Sequence, residues 1–131
     1  MTRSITPFLM FEGTAEEAVH FYVSLFADSE IVRIAHYAAG EPGPAGSVQR
    51  ADFRLAGRDF IAIDSPVTHD FGFTPSLSLF VECADAAEIE SAYAQLGAGG
   101  RERMPLDDYG FSRRFGWIDD RFGVSWQLNL R

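Results

Sequence analysis

At 131 residues, 47% of them hydrophobic, the chain is long enough to bury a core without disulfides and too apolar to be disordered. Eleven basic residues against 19 acidic leave a net charge of −8, and Arg113-Arg114 is the one adjacent basic pair, so a nucleic-acid partner, which needs a concentrated positive face, is not expected. Cys83 is the only cysteine, which excludes an intrachain disulfide and a cysteine-rich metal centre; it reads as core filler. No stretch is long enough to span a bilayer, and Met1-Thr2-Arg3-Ser4 leads straight into a strand, so the expectation is a cytoplasmic protein with no membrane partner.

Ile5 to Phe11 is apolar on both faces, as a buried strand is, with Pro7 tolerated near its start. Thr14-Ala15-Glu16-Glu17 has the spacing of a capping box, and Ala18, Tyr22, Leu25 and Phe26 continue it as an apolar helical stripe ending near Ala27-Asp28-Ser29. Glu30 to Tyr37 predicts a strand, residues 39–46 a Gly/Pro loop, and Val48 to Leu55 with Phe60 to Asp64 a hairpin about Ala56-Gly57-Arg58-Asp59. An irregular connection, Ser65 to Pro75, leads to a period-two strand at Ser76 to Glu82. A second helix is predicted to open at Asp85-Ala86-Ala87-Glu88, to carry Ile89, Tyr93 and Leu96 inward, and to close at Gly97-Ala98-Gly99-Gly100. Phe115 to Ile118 and Val124 to Asn129 are the last strands, joined by a tight Asp119-Asp120-Arg121-Phe122-Gly123 turn.

The two helix segments repeat each other. Ala15 with Ala86, Glu17 with Glu88, Tyr22 with Tyr93 and Leu25 with Leu96 are all the same 71 residues apart. A strand precedes each helix and three strand candidates follow it, so the chain reads as strand-helix-strand-strand-strand, twice. One helix covers one face of such a sheet, and the other face must be wet, buried by a second unit, or folded around a ligand.

Alternation along the strands assigns those faces. Ile61 and Ile63 are expected to face the first helix, leaving Ala62 and Asp64 opposite. Leu77, Leu79 and Val81, and likewise Val124, Trp126 and Leu128, are expected to face the second helix, leaving Ser76, Ser78 and Phe80 and Ser125, Gln127 and Asn129 on the other side. Asp64, Ser76, Ser78, Gln127 and Asn129 are then expected to line one concave surface. With Phe80 on that side and 14% aromatic residues, more than two helices cover easily, a pocket is the better reading than plain solvent. The three histidines, His20 in mid-helix, His36 on a strand and His69 in the irregular loop, read as structural or solvated; His69, beside a cavity mouth, is the one placed to move a proton.

Four segments carry a family resemblance: Thr6-Pro7-Phe8-Leu9-Met10-Phe11-Glu12-Gly13, Phe21-Tyr22-Val23-Ser24-Leu25-Phe26, Met104-Pro105-Leu106-Asp107-Asp108-Tyr109, and Gly116 through Gln127. They resemble the PhnB-like, 3-demethylubiquinone-9 3-methyltransferase-domain branch of the vicinal oxygen chelate superfamily, which includes glyoxalase I, bleomycin-resistance proteins and extradiol dioxygenases. The resemblance implies an α+β fold of two βαβββ modules, about residues 4–66 and 75–131, in a single compact domain spanning 1–131, and a homodimer. It also implies metal ligands near Thr6 or Pro7, at Asp64, at Ser76 or Ser78, and at Gln127. Of these only Asp64 is an ordinary hard ligand and none is histidine, so neither a metal nor any other cofactor is expected.

The function expected is binding of a small hydrophobic or aromatic molecule without a metal centre. Phe8, Met10, Phe80 and Trp117 would supply apolar contact, and Asp64, Ser76, Ser78 and Gln127 would orient the ligand. The alternatives are an enzyme with Asp64 as general base, a metal-dependent lyase, isomerase or dioxygenase using Asp64 and Gln127, the methyltransferase the branch is named for, and a dimeric domain without a ligand. Methyl transfer from S-adenosylmethionine in a doubly wound sheet uses a Gly-rich turn after the first strand, whereas Gly97 to Gly100 follow a helix.

Overall fold

The structure, a computed structural model, describes all residues, Met1–Arg131. It divides into two compact units, Met1–His69 and Asp70–Arg131, each a βαβββ module with its own four-stranded sheet. The expected α+β class and module order are therefore present. The first unit comprises β1 (Phe8–Phe11), α1 (Ala15–Leu25), β2 (Glu30–His36), β3 (Val48–Leu55) and β4 (Arg58–Asp64), in sheet order β1-β4-β3-β2. The second comprises β5 (Ser78–Glu82), α2 (Ala86–Gly97), β6 (Arg101–Asp107), β7 (Arg114–Asp119) and β8 (Ser125–Leu130), in order β5-β8-β7-β6. No helix is long and apolar enough to cross a membrane.

In each unit the first strand pairs parallel with the last, Phe8 to Phe11 against Ile61 to Asp64 and Ser78 to Glu82 against Ser125 to Asn129. Parallel pairing needs a crossover, and the helix with its following hairpin supplies it. α1 buries Ala15, Ala18, Val19 and Tyr22, a stripe at helical spacing, against Leu9, Phe11, Ala51, Phe53 and Ala62. Phe53 and Phe60, paired across β3 and β4, stack at 5.4 Å and contribute about 1 kcal/mol beyond their burial. α2 buries Ile89, Ala92 and Leu96 over Ile118, Trp126 and Leu128.

Several local expectations need correction. The first helix has no side-chain cap at Thr14; its first amide, Ala15 N, donates instead to Asp64, arriving from the far end of the module. Asp85 does cap α2, accepting from Glu88 N at 2.8 Å, and Glu88 reaches back to Ala84 N at 2.7 Å. β5 begins at Ser78, because Leu77 N turns back to the Thr74 carbonyl, so Leu77 is two-thirds exposed and not an inward strand residue.

Most consequential is the face of β4. The expectation put Ile61 and Ile63 toward α1; the structure puts Phe60, Ala62 and Asp64 there, all buried, and leaves Ile61 and Ile63 half-buried on the opposite side. A helix approaches a sheet closely only over small side chains, and Ala51 and Ala62, neighbours in the ladder, provide that seat. In β8 the expected alternation holds for Trp126, Gln127 and Leu128.

Candidate functional site

Asp64 was expected to face a cavity. Its carboxylate instead accepts from Gly13 N at 2.8 Å and Ala15 N at 3.0 Å through Oδ1, and from Val48 N at 2.9 Å through Oδ2, and the residue is 3% exposed. It ties the end of β4 to the start of α1 and the start of β3. Those three amides occupy most of the carboxylate's acceptor sites, and the side chain points toward the helix, which corrects the face assigned to it.

Phe8 and Met10 lie in the first unit on the face turned away from α1, Phe8 55% exposed and Met10 half-buried. The remaining expected residues belong to the second unit. Ser76 precedes β5, is exposed, and bonds the Thr74 hydroxyl at 2.7 Å; it is a turn residue, off the sheet surface where it was expected.

Ser78, Phe80, Gln127 and Trp117 do come together on the face of the second sheet opposite α2. β5 and β8 pair Ser78 with Ser125 and Phe80 with Gln127, while β7 pairs Trp117 with Gln127. Alternation then aims all of these away from the helix, since Gly116, Ile118, Trp126 and Leu128 occupy the α2 side. Gln127 Nε2 donates to Ser78 Oγ at 2.8 Å, and Trp117 Nε1 donates to Ser125 Oγ at 2.8 Å. Two neighbours went unnoticed in the sequence. Arg103 of β6 grips Asp119 Oδ2 at 2.9 and 2.7 Å and holds its guanidinium 6.0 Å from the Trp117 ring centroid. The Arg103 guanidinium first, and the Ser125 hydroxyl with it, keep the Asp119 carboxyl below the ordinary range against the opposing effect of burial. Arg103 and Asp119 sit at alternating positions on adjacent strands, a signal readable only once β6 is registered against β7.

Beside this row lies an aromatic cluster. Phe115 meets Phe111 edge-on at 5.1 Å and Tyr109 at 6.2 Å, with Phe80 at 6.5 Å. Phe80 and Phe111 are more than half exposed. Asn129, on the same face, donates Nδ2 to Glu82 Oε2 at 3.1 Å and keeps its own Oδ1 buried without a partner, and a buried acceptor left unpaired marks a place to look for function.

The metal-ligand positions implied by the resemblance do not fit a metal. Asp64 is consumed by backbone amides, and Ser78 and Gln127 are engaged with each other. No three His, Cys, Asp or Glu side chains lie together as a cation would require. The histidines stand apart: His20 and His36 both contact Glu16, at 3.6 and 2.7 Å, and His69 bonds the Ser65 hydroxyl at 2.9 Å.

Residues 3–129 match the family described as 3-demethylubiquinone-9 3-methyltransferase. The chain belongs to that family. The two βαβββ modules are the fold that the resemblance to the PhnB-like branch implies. A solved structure of a putative 3-demethylubiquinone-9 3-methyltransferase, PhnB protein, from Bacillus cereus is 51% identical, with 98% of this chain and 100% of that one covered and a TM-score of 0.96. The protein PA1353 from Pseudomonas aeruginosa is 26% identical over 99% and 98% of the two chains, with a TM-score of 0.84. Protein YjdN of Escherichia coli K12 is 21% identical over 96% of this chain and 94% of its own. For this PhnB-like chain the glycine of the Gly116-Trp117 motif has a physical reason: a Cβ there would sit 2.6 Å from the Tyr93 ring.

Proposed function

We propose that this PhnB-like protein binds a small, largely uncharged aromatic molecule on the face of the second sheet opposite α2, without a metal centre, as a cytoplasmic homodimer. What carries the reading is the row Ser78, Gln127, Trp117 and Ser125, whose donors and acceptors are fixed by two 2.8 Å hydrogen bonds beside the exposed ring of Phe80. Oriented polar groups next to aromatic surface are what a small-molecule site needs, and their preorganisation lowers the entropy lost on binding. Trp117 would stack on the ligand, its ring backed by the Arg103 guanidinium. Gln127 and Ser78 would exchange their mutual hydrogen bond for bonds to a ligand hydroxyl or carbonyl. The homodimer rests on the family resemblance and is tested by sedimentation equilibrium, where a mass of one chain rejects it.

The binding itself is tested by tryptophan fluorescence and thermal shift with 2-naphthol and related neutral aromatics. A saturable quench is expected, with Trp117→Phe removing it and Gln127→Ala weakening affinity about tenfold, the value of one hydrogen bond lost in a desolvated site. A panel giving no saturable response, or a quench undiminished in Trp117→Phe and so reported by Trp126 alone, rejects the site.

A further inference from the structure

On the face of the second sheet opposite α2, one buried amide oxygen has nothing to accept from. Asn129 is 5% exposed, and its amide nitrogen donates to Glu82 Oε2 at 3.1 Å, which turns Oδ1 away from that carboxylate and leaves it buried without a donor. Asp119 Oδ1, on the same face, is buried as well, but the Ser125 hydroxyl beside it helps to lower the Asp119 carboxyl, as a donor does. The side-chain donors of this face are engaged elsewhere: Gln127 Nε2 with Ser78, Trp117 Nε1 with Ser125, and the Arg103 guanidinium with Asp119. A buried acceptor without a donor destabilises the fold, and such groups are kept where a ligand or a water completes them.

Strand order places β8 between β5 and β7. Glu82, Asn129 and Phe115 are paired across the three strands in one row, and Phe80, Gln127 and Trp117 in the next. Phe80 and Phe115 flank β8 from opposite sides, so their rings, centred 6.5 Å apart, meet above it at Gln127 and Asn129. Phe115 is buried, whereas Phe80 is more than half exposed and free to change rotamer without disturbing the core. Turning Phe80 aside uncovers the Asn129 amide. Gln127 and Asn129 project from the same face about 7 Å apart, the repeat of two residues along a strand.

We propose, resting on the aromatic site described above, that Asn129 sets its ligand class: the molecule bound there carries a neutral N–H or O–H donor at the end remote from Gln127, and that donor bonds Asn129 Oδ1. A bicyclic aromatic spans the two side chains, with one polar group at Gln127 and Ser78, the second at Asn129, and Phe80 closing over its ring. Glu82 holds the amide in the orientation that presents the oxygen. A molecule with a methyl group in place of the far donor leaves that oxygen unpaired beneath it and is rejected, which is how a buried polar group discriminates more sharply than an apolar wall.

The test is calorimetric titration at pH 8, where an arylamine is neutral, with 6-amino-2-naphthol and with 6-methyl-2-naphthol, which matches it in size and lacks the far donor. The wild type is expected to bind the amine about tenfold tighter or more. Asn129→Leu replaces the amide with an apolar group of similar shape; it is expected to keep or raise the melting temperature and to reduce the preference to about twofold or less. In ¹⁵N-labelled wild-type protein the Asn129 side-chain amide protons are expected to move further downfield with the amine than with the methyl compound, as an amide does when its oxygen accepts a hydrogen bond. Equal affinities for the two compounds, equal shifts, or a preference that survives in Asn129→Leu overturn the role of Asn129 while the aromatic site stands. Failure of both compounds and of 2-naphthol to bind overturns the site and the role together.

Discussion

Trp126 donates its indole N–H to Asp120 Oδ2 at 2.9 Å, with both residues buried. The other oxygen of Asp120 accepts from Phe122 N at 2.8 Å and Val124 N at 3.0 Å, so one carboxylate closes the β7–β8 turn and fastens it to the core under α2. Gly123, at φ 93°, supplies the left-handed residue the turn needs. Replacing Asp120 with alanine strands three donors, two of them buried. The expected loss is about 3 kcal/mol of unfolding free energy in urea, from hydrogen bonds to a charged acceptor. Asp120→Asn keeps one acceptor but turns its amide hydrogens toward other donors, and is expected to lose about 2 kcal/mol. A change below 1 kcal/mol in Asp120→Ala contradicts this account of the turn.

Asp64 does the same work in the first unit, with three backbone amides on its two oxygens. Asp64→Ala is expected to destabilise by about 3 kcal/mol and to unfold α1 and the start of β3 first, seen as amide exchange faster at Ala15 and Val48 than elsewhere in the unit. Binding of 2-naphthol by the protein that remains folded is expected to be unchanged. An Asp64→Ala protein of ordinary stability with lost binding would restore Asp64 to the site.

The contrast between the two terminal strands explains what could be read in advance. In β8, Trp126 and Leu128 against Gln127 differ so much in polarity that alternation alone assigns the faces. In β4 both faces are apolar: Ile61 and Ile63 on one side, Phe60 and Ala62 on the other. Hydropathy favours the isoleucines for the core, while the seat beneath α1 is made by the small side chains of Ala51 and Ala62. Asp64 follows its strand inward because tertiary amides await it, and no local pattern announces them. Module order, helix stripes and the repeat were legible because they rest on spacing within a few residues. The Arg103–Asp119 and Arg33–Asp52 contacts were not, because they depend on cross-strand register, with bulges in both β2–β3 and β6–β7.

Gly116 offers a test of helix-to-sheet packing. An added Cβ would meet the Tyr93 ring at 2.6 and 2.8 Å and Leu106 Cα at 3.4 Å. The Tyr93 hydroxyl is itself tied to Glu102, so the ring has little freedom to move aside. Gly116→Ala is expected to destabilise by about 2 kcal/mol through overpacking. Tyr93→Leu in the same chain is expected to recover part of that loss, because it removes the atoms that clash. Independent, additive effects of the two changes would mean that they do not touch.

Cys83 is buried, and desolvation together with the Glu88 carboxylate pushes its thiol up to about 12. Only the thiolate reacts, so at pH 8 the ionised fraction falls about a thousandfold below that of an ordinary thiol near 9. Native protein is expected to react with a disulfide reagent at least that much more slowly than protein in 6 M guanidinium. Equal rates in the two states would show that the β5 end opens freely.

The Arg103–Asp119 pair predicts how stability responds to acid. Because the folded-state carboxyl of Asp119 is held below its ordinary value near 3.8, the folded form is favoured when that group is ionised. Its contribution is present in full above that value and is lost as the pH falls through the lower, folded one. Asp119→Asn is therefore expected to lower the melting temperature at pH 7, and the gap from the wild type is expected to narrow steadily between pH 4 and pH 2. Arg103→Gln removes the main cause of the depression and is expected to narrow the same gap from the other partner, while loosening the Trp117 ring that the guanidinium backs. Melting curves across that range for the three proteins decide it: a gap that stays constant with pH would assign the Asp119 effect to packing alone.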